Sequence, residues 1–235
     1  MLIPLRTCSL YNQTPLPNWG IIAASVLVWV ASVGSGFGGW VEDMVLHDAS
    51  LSGLLGHMFL HGGVLHLVGN MVFLWVFGNV ACAKVGPYLY VPVYLLCGIG
   101  AAFCHLLASD TPAIGASGAI NGIIAFYLVL QPVNEVEMLF VFFLRAKQFT
   151  IAGFWVILYW LAWDVYGLLG SSQSRIGFAA HVGGFATGLV LGTLFVFFKL
   201  VRMDSYDNPT LLEYLGLLPK GYSAPNRQKT RTEPI

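Results

Sequence analysis

The sequence predicts an all-α membrane protein with six transmembrane helices. Hydrophobic residues make up 57% of the 235-residue chain and charged residues only 9%, whereas about 25% of a soluble domain is charged. A spanning helix needs roughly 20 mostly apolar residues. Six apolar runs, the fourth of them shorter, lie at 19–35, 64–83, 88–107, 117–131, 150–169 and 178–200. We therefore expect a six-helix domain at 19–200, an N-terminal tail at 1–18 and a C-terminal tail at 201–235.

The basic residues predict the orientation of these helices. Six helices place both ends of the chain on one side, and that side carries ten of the eleven lysines and arginines, all but Arg175. Because basic residues concentrate in cytoplasmic segments, we expect both termini in the cytoplasm. The short termini favour the plasma membrane of a bacterium.

The segments between and after the helices carry further expectations. The apolar segment "VEMLFVFFLRAKQF", at 136–149, also holds charges and is expected to anchor the chain at the inner membrane interface. The small, polar loop "GSSQSRIG", at 170–177, suggests a mobile cap on the outer side. The hydrophilic tail after Arg202 is expected to be poorly ordered.

Polar residues gather at one level of the predicted bundle. His66 and Asn70 lie in the first turns of the second helix, Ser117 begins the fourth, and His181 lies in the first turn of the sixth. These three helices run in the same direction, so all four residues lie near the outer ends. Polar residues are costly inside a membrane and usually face the protein interior, which makes them candidates for a functional site.

The short fourth helix indicates how deep Ser117 lies. Residues 117–131 rise only about 22 Å, while the hydrocarbon core is about 30 Å thick. The loop at 109–115 must then dip into the membrane, where irregular backbone is tolerated only inside protein or beside water. We therefore expect a wet pocket with Ser117 at its floor.

Glycines predict which helices pack closely. They recur every four residues on two helices: Gly118 and Gly122 on the fourth, and Gly184, Gly188 and Gly192 on the sixth. Faces of small residues allow close helix packing in membranes. Contact between these two faces would bring Ser117 near His181.

Three segments together resemble the rhomboid family of intramembrane serine proteases. They are "FLHGGVLHLVGNM" at 59–71, "GASGA" at 115–119 and "AHVGGFATG" at 180–188. They are similar to the family's HxxxN, GxSG and AHxxG signatures and occur in that order on the second, fourth and sixth predicted helices. The resemblance covers 19–200. It implies a rhomboid-like bundle that hydrolyses a peptide bond in or near the transmembrane segment of another membrane protein.

The resemblance also implies a role for each signature residue. Ser117 would be the nucleophile and His181 the general base, in a catalytic dyad without an acidic third member. Asn70 and His66 would donate hydrogen bonds to the oxyanion, beside the backbone N–H of Ser117. This chemistry is sound in itself, because a neighbouring base activates a serine and donors aimed at the developing charge stabilise the transition state.

Some positions differ from the family pattern or surround the site. The family often has an aromatic residue one turn after the nucleophile, stacked on the histidine, whereas this chain has Asn121. A hydrogen bond from Asn121 could orient His181 instead. Gly115, Ala116 and Gly118 would wall the cleavage site and favour small substrate side chains there, and Gly184 would support the histidine helix.

Other polar residues have competing interpretations. Asp164, near the end of the fifth helix, could complete a triad, but a carboxylate at the membrane interface is the favoured interpretation. His57 and His61 are four residues apart and could bind a metal if helical, although the sequence shows no partnering Glu or Cys. Hydrogen bonding within the first loop is favoured for His61, and we expect no metal and no cofactor.

Two other functions compete with proteolysis. A rhomboid-like protein could bind transmembrane segments without cutting them, although inactive relatives usually lose the serine or histidine. A channel or transporter would carry charged residues along its pathway, whereas these helices are almost uncharged. The neutral net charge gives no indication of nucleic-acid binding. The expected partners are transmembrane protein substrates and the lipid bilayer.

Overall fold

The computed structural model describes residues 2–36, 38–143, 145–170 and 177–224. The core of the predicted cap, residues 171–176, lies outside the described residues. The helices are α1 (Leu16–Gly34), α2 (Trp40–Met44), α3 (Leu51–Gly56), α4 (Val64–Phe73), α5 (Asn79–Val85), α6 (Pro87–Ala108), α7 (Ser117–Leu130), α8 (Gly153–Gly170), α9 (Phe178–Phe197) and α10 (Leu211–Tyr214). The strands are β1 (Leu2–Thr7), β2 (Glu135–Phe142) and β3 (Arg145–Ala152).

The helical stretches agree with the predicted spans to within three residues at each end. In the described chain, five are long and apolar enough to cross a membrane: α1, Val64–Val85, α6, α8 and α9. Within Val64–Val85, a π-helical turn at Leu74–Gly78 joins α4 to α5. The protein is therefore a mostly helical, multi-pass membrane protein.

The fourth predicted span, the remaining one of the six, is the short helix α7. Its 14 residues rise only about 21 Å. All of them except Ser117 and Asn121 are buried, because α6 and α9 pack along α7. A helix enclosed by protein exposes little surface to lipid, so its length need not match that of the bilayer.

The predicted contact between the two glycine faces is present. A Cβ atom at Gly184 would collide with the carbonyl oxygen of Gly118, and one at Gly188 with that of Gly122. The backbones of α7 and α9 therefore touch directly. This contact fixes how far apart the N-terminal ends of the two helices lie.

Replacing Gly188 with alanine should therefore destabilise the bundle. Overpacking a core costs about 1–3 kcal/mol, and the upper end applies because the colliding atom belongs to the backbone. We expect a lower unfolding temperature in detergent. Gly20→Ala is the control, because a Cβ at Gly20 in α1 meets nothing within 4 Å. Equal unfolding temperatures for Gly188→Ala and Gly20→Ala would contradict the packing argument.

The segment expected to be an interfacial anchor is a β-hairpin. Strands β1, β2 and β3 form an antiparallel sheet in that order. Val136 and Met138 are buried while Glu135 is exposed and Glu137 is half-buried, which is the alternation of a strand. The all-α prediction is wrong here, and the predicted N-terminal tail contributes the edge strand β1. The predicted fifth helix also begins later, at Gly153.

The C-terminal tail is packed as far as Ala224, contrary to the expectation of poor order. Lys84, at the end of α5, is only 2% exposed. Its Nζ lies 2.6 Å from Asp207 and 3.1 Å from Asp204, both in the tail. Gln131 also donates to Asp207, at 2.9 Å. A buried ammonium needs carboxylate partners, so Lys84 holds the tail against the bundle.

Candidate active site

Ser117 and His181 meet where α7 and α9 begin. Ser117 is the first residue of α7 and His181 lies in the first turn of α9. The Oγ atom of Ser117 lies 2.9 Å from Nε2 of His181. The close contact between Gly118, the next residue after Ser117, and Gly184, about one turn after His181, sets this distance. From the glycine spacing we expected helix packing to bring Ser117 and His181 together, and this distance agrees with that expectation.

For Asp164 the sequence analysis favoured a carboxylate at the membrane interface, but the side chain is buried beside His181. It is 7% exposed, and its Oδ1 lies 2.9 Å from Nδ1 of His181. The packing of α8 against α9 turns this carboxylate inward. A carboxylate at Nδ1 fixes that nitrogen as the donor, which leaves Nε2 free to accept the hydroxyl proton of Ser117. The three side chains thus form a continuous chain of hydrogen bonds.

Asn121 does not orient His181 as the sequence analysis considered. Its Nδ2 donates instead to the carbonyl oxygen of Ser117, at 3.1 Å within α7. The aromatic neighbour of His181 is Phe178, whose ring meets the imidazole edge-on with 6.4 Å between centroids. Asp164 and Phe178 therefore hold the imidazole where the family often uses a stacked aromatic residue.

Asn70 and His66 lie beside the loop that precedes Ser117. Gly115 has a φ of +126°, and a Cβ there would lie 2.8 Å from Cε1 of His66 and 3.9 Å from Nδ2 of Asn70. Only glycine suits this position. The Nδ2 of Asn70 is buried and has no partner among the described residues, and an unsatisfied buried donor costs about 1–3 kcal/mol. An oxygen bound beside Ser117 would satisfy it.

His57 and His61 of the first loop hydrogen-bond to backbone carbonyls. Nδ1 of His57 lies 2.8 Å from the carbonyl oxygen of Gly53, and Nδ1 of His61 lies 3.2 Å from that of Phe59. The carbonyl of His57 in turn accepts from the N–H of Gly115, at 2.8 Å. Burial, together with the neighbouring His66, lowers the pKa of His61 to about 4. The backbone of His57 thus supports the loop that carries Gly115, and His61 hydrogen-bonds within the first loop, as the sequence analysis favoured.

A cavity of about 190 Å³ adjoins Ser117. Residues of α4, α7, α8 and α9 line it: Asn70, Phe73, Ser117, Ile120, Asn121, Ile124, Trp160, Trp163, Asp164 and His181. A cavity of about 150 Å³ with apolar walls can hold benzene, so this one has room for an apolar side chain. The small residues expected to form the wall pack elsewhere, since Ala116 is fully buried and Gly118 faces Ala101 and Ala180.

Sequence reasoning considered Asp164 as a third triad member but favoured another interpretation, and it missed the aromatic walls of the cavity. Phe73, Trp160 and Trp163 are residue types that ordinarily face the membrane, so nothing in the sequence indicated that they share a pocket. Asp164 did leave a signal, because it is an ionisable residue inside an apolar run, near the same end of the bundle as His181. Which way that side of α8 faces depends on tertiary packing.

Comparisons with known proteins identify the family of the chain. Residues 48–198 match the Rhomboid domain. The chain is 30% identical over 147 residues to yeast Rhomboid protein 1, mitochondrial, covering 59% of this chain and 40% of the relative. It is 30% identical over 159 residues to RHOMBOID-like protein 2 of Arabidopsis thaliana, covering 67% and 45%.

A human protein extends the comparison. The chain is 26% identical over 179 residues to the human presenilin-associated rhomboid-like protein, mitochondrial, covering 72% of this chain and 46% of the relative. The chain thus spans less than half the length of these three relatives. The Rhomboid domain nevertheless matches well over half of this chain, and the protein belongs to the rhomboid family.

Proposed function

We propose that the protein is an intramembrane serine endopeptidase that hydrolyses peptide bonds in or near the transmembrane segments of other membrane proteins. The observation that carries the proposal is the 2.9 Å contact between Ser117 Oγ and His181 Nε2 at the wall of an apolar cavity. Membership of the rhomboid family supports it. Proteolysis also accounts for the unpartnered amide of Asn70 beside the nucleophile.

Acylation follows from the geometry. His181 Nε2 takes the hydroxyl proton as Ser117 Oγ attacks the carbonyl carbon of the substrate. The Nδ2 of Asn70, the backbone N–H of Ser117 and the ring of His66 donate hydrogen bonds to the resulting oxyanion. Asp164, through Nδ1, orients the imidazole and stabilises the imidazolium. His181 then gives its proton to the leaving amine, and an acyl-enzyme on Ser117 remains.

Deacylation repeats these steps with water. His181 removes a proton from the incoming water, which attacks the ester carbonyl, and the same donors stabilise the second oxyanion. Collapse of this intermediate breaks the bond to Ser117 Oγ, and His181 returns the proton to the serine. Asp164 acts only through His181, so it is a positioning residue.

We also propose how the chain sits in the membrane. The short helix α7 is the sixth membrane-inserted helix, enclosed by the other five, and both termini face the cytoplasm. The excess of lysine and arginine on that side supports this orientation. The plasma membrane of a bacterium is the proposed location, although six of the relatives carry mitochondrial or chloroplastic names.

The proposed substrate is a transmembrane segment that unwinds beside the cavity. A regular helix keeps its carbonyls in hydrogen bonds, so segments with helix-weakening residues should be cut best. The test is incubation of a panel of single-span reporter proteins with the purified protein in liposomes. Cuts within or beside the span, located by mass spectrometry, would support the proposal. Stable binding of reporters without any cut would favour the non-proteolytic alternative.

Replacing Asn70 with alanine should slow cleavage by weakening the oxyanion site. Loss of one oxyanion donor lowers kcat by about 100- to 1000-fold, and KM should hardly change because the donor acts mainly on the transition state. Reporter kinetics check both constants. The unfolding temperature should stay close to that of the wild type, because the Nδ2 atom has no hydrogen-bond partner to lose among the described residues. A raised KM with unchanged kcat would contradict the assigned role.

A further inference from the structure

The β2–β3 hairpin carries one continuous apolar face that extends beyond the helical bundle. Alternate residues of β2 share this face, and their exposure rises toward the turn. Val136 and Met138 are fully buried, whereas Phe140 is 41% and Phe142 60% exposed. Phe143, at the turn itself, is 87% exposed. The same face thus packs on the bundle at one end and is uncovered at the other.

Basic side chains lie beside the exposed phenylalanines. Lys147 pairs with Phe140 and Arg145 with Phe142 across the antiparallel strands, and directly opposite residues lie on the same face of a sheet. Both basic residues are exposed. The acidic residues of β2 lie at the other end of the strand, where Glu137 pairs with Arg6 of β1. The tip of the hairpin is therefore both aromatic and cationic.

The sheet lies at the level where the first spanning helix begins. β1 contacts the turn at Leu74–Gly78. The side chain of Asn18, in the first turn of α1, donates to the carbonyl oxygen of Leu74 at 2.9 Å and to Asn79 at 2.8 Å. β3 continues directly into the spanning helix α8 at Gly153. These contacts place the sheet beside the first turns of α1 and α8, two of the helices that are long enough to span a membrane.

We infer that this tip binds anionic phospholipid. Phe140, Phe142 and Phe143 insert at the acyl boundary of the cytoplasmic leaflet, and Arg145 and Lys147 bind the headgroups. Interfacial segments bury Trp, Phe and Leu side chains at the boundary between headgroups and acyl chains, and basic clusters next to spanning helices attract anionic lipids. A protein partner fits less well, because a standard protein interface takes roughly 20–30 residues from each side.

Photocrosslinking from the full chain in nanodiscs tests the inference. The crosslinker p-benzoylphenylalanine replaces Phe143 in one preparation and Gln148 in another. Gln148 is the control, because it is exposed and pairs with Leu139 on the opposite face of the same hairpin. The nanodiscs contain phosphatidylcholine mixed with phosphatidylglycerol, and mass spectrometry identifies each adduct.

The expected result is a lipid adduct from position 143 and little from position 148. The share of phosphatidylglycerol among the adducts should exceed its share of the bulk lipid. Arg145→Gln and Lys147→Gln should each reduce this excess by about fivefold, which is the contribution of a typical juxtamembrane basic residue. Any of three results would overturn the inference. They are adducts that contain phosphatidylglycerol only at its bulk share, equal labelling from both positions, and adducts formed mainly with a second protein chain. None of these outcomes depends on proteolytic activity.

Discussion

Cleavage of single-span reporters is expected to fall to background when Ser117 is replaced with alanine. The substitution removes the only atom that the proposed mechanism places for attack on the substrate carbonyl. Loss of a serine-protease nucleophile or its base lowers kcat by about 10⁶-fold, and His181→Ala should have a similar effect. The double variant should be no worse than either single one, because the two residues act as one unit. Initial rates in liposomes measure all three.

A second buried serine provides a matched control for Ser117. Ser25 in α1 is fully buried, and its hydroxyl has no partner among the described residues. Ser25→Ala therefore removes a buried hydroxyl without touching the proposed site, and its cleavage rate should equal that of the wild type. Cleavage by Ser117→Ala at the wild-type rate would show that another group is the nucleophile.

Asp164→Asn should lower kcat strongly while leaving KM and the unfolding temperature nearly unchanged. Asparagine keeps the size of the side chain and an oxygen that can accept from Nδ1, but it no longer stabilises the imidazolium. In a soluble serine protease the same change lowers kcat by about 10⁴-fold. We expect a loss of about 100-fold or more here, measured by reporter kinetics at saturating substrate.

The variant Asp164→Glu separates a positioning role from a purely structural one. It restores the negative charge at the cost of a longer side chain, and we expect it to recover part of the lost kcat. A structural role would give the opposite order, with the isosteric asparagine close to wild type and glutamate the more damaging change. That order would contradict the role assigned to Asp164.

The sequence predicts most of the site because local patterns encode it. Ser117 and His181 each begin a helix, and the glycines that follow them at spacings of four set the helices against each other. The direct contacts of Gly184 and Gly188 with α7 bear this out. His66 and Asn70 share one face of α4, and Gly115 fits the space beside them. Sequence reasoning succeeds here because helical periodicity carries the information.

Asp164 could not be assigned because its role depends on the rotation of α8. That helix has exposed aromatic residues on much of its surface, including Trp155, Trp163 and Tyr166, so hydrophobicity does not distinguish its inner face. Only the packing of α8 against α9 brings the carboxylate to His181.

The sheet and the ordered tail escaped prediction for a different reason. Val136 and Met138 do alternate with charged residues, but the residues that follow are apolar at every position, so the two-residue alternation of a strand is not visible there. Lys84 meets its partners Asp204 and Asp207 more than a hundred residues further along the chain. No local sequence pattern predicts an ion pair between residues so far apart in the chain.

Labelling with a fluorophosphonate probe reports whether Ser117 is an activated nucleophile. The probe forms a covalent bond with an activated serine and requires no knowledge of the substrate. We expect mass spectrometry to find the adduct on Ser117 of the membrane-embedded protein, and we expect labelling to disappear in His181→Ala. Absence of labelling in the folded wild type, or an adduct on another serine, would contradict the claim that Ser117 and His181 form a working catalytic site.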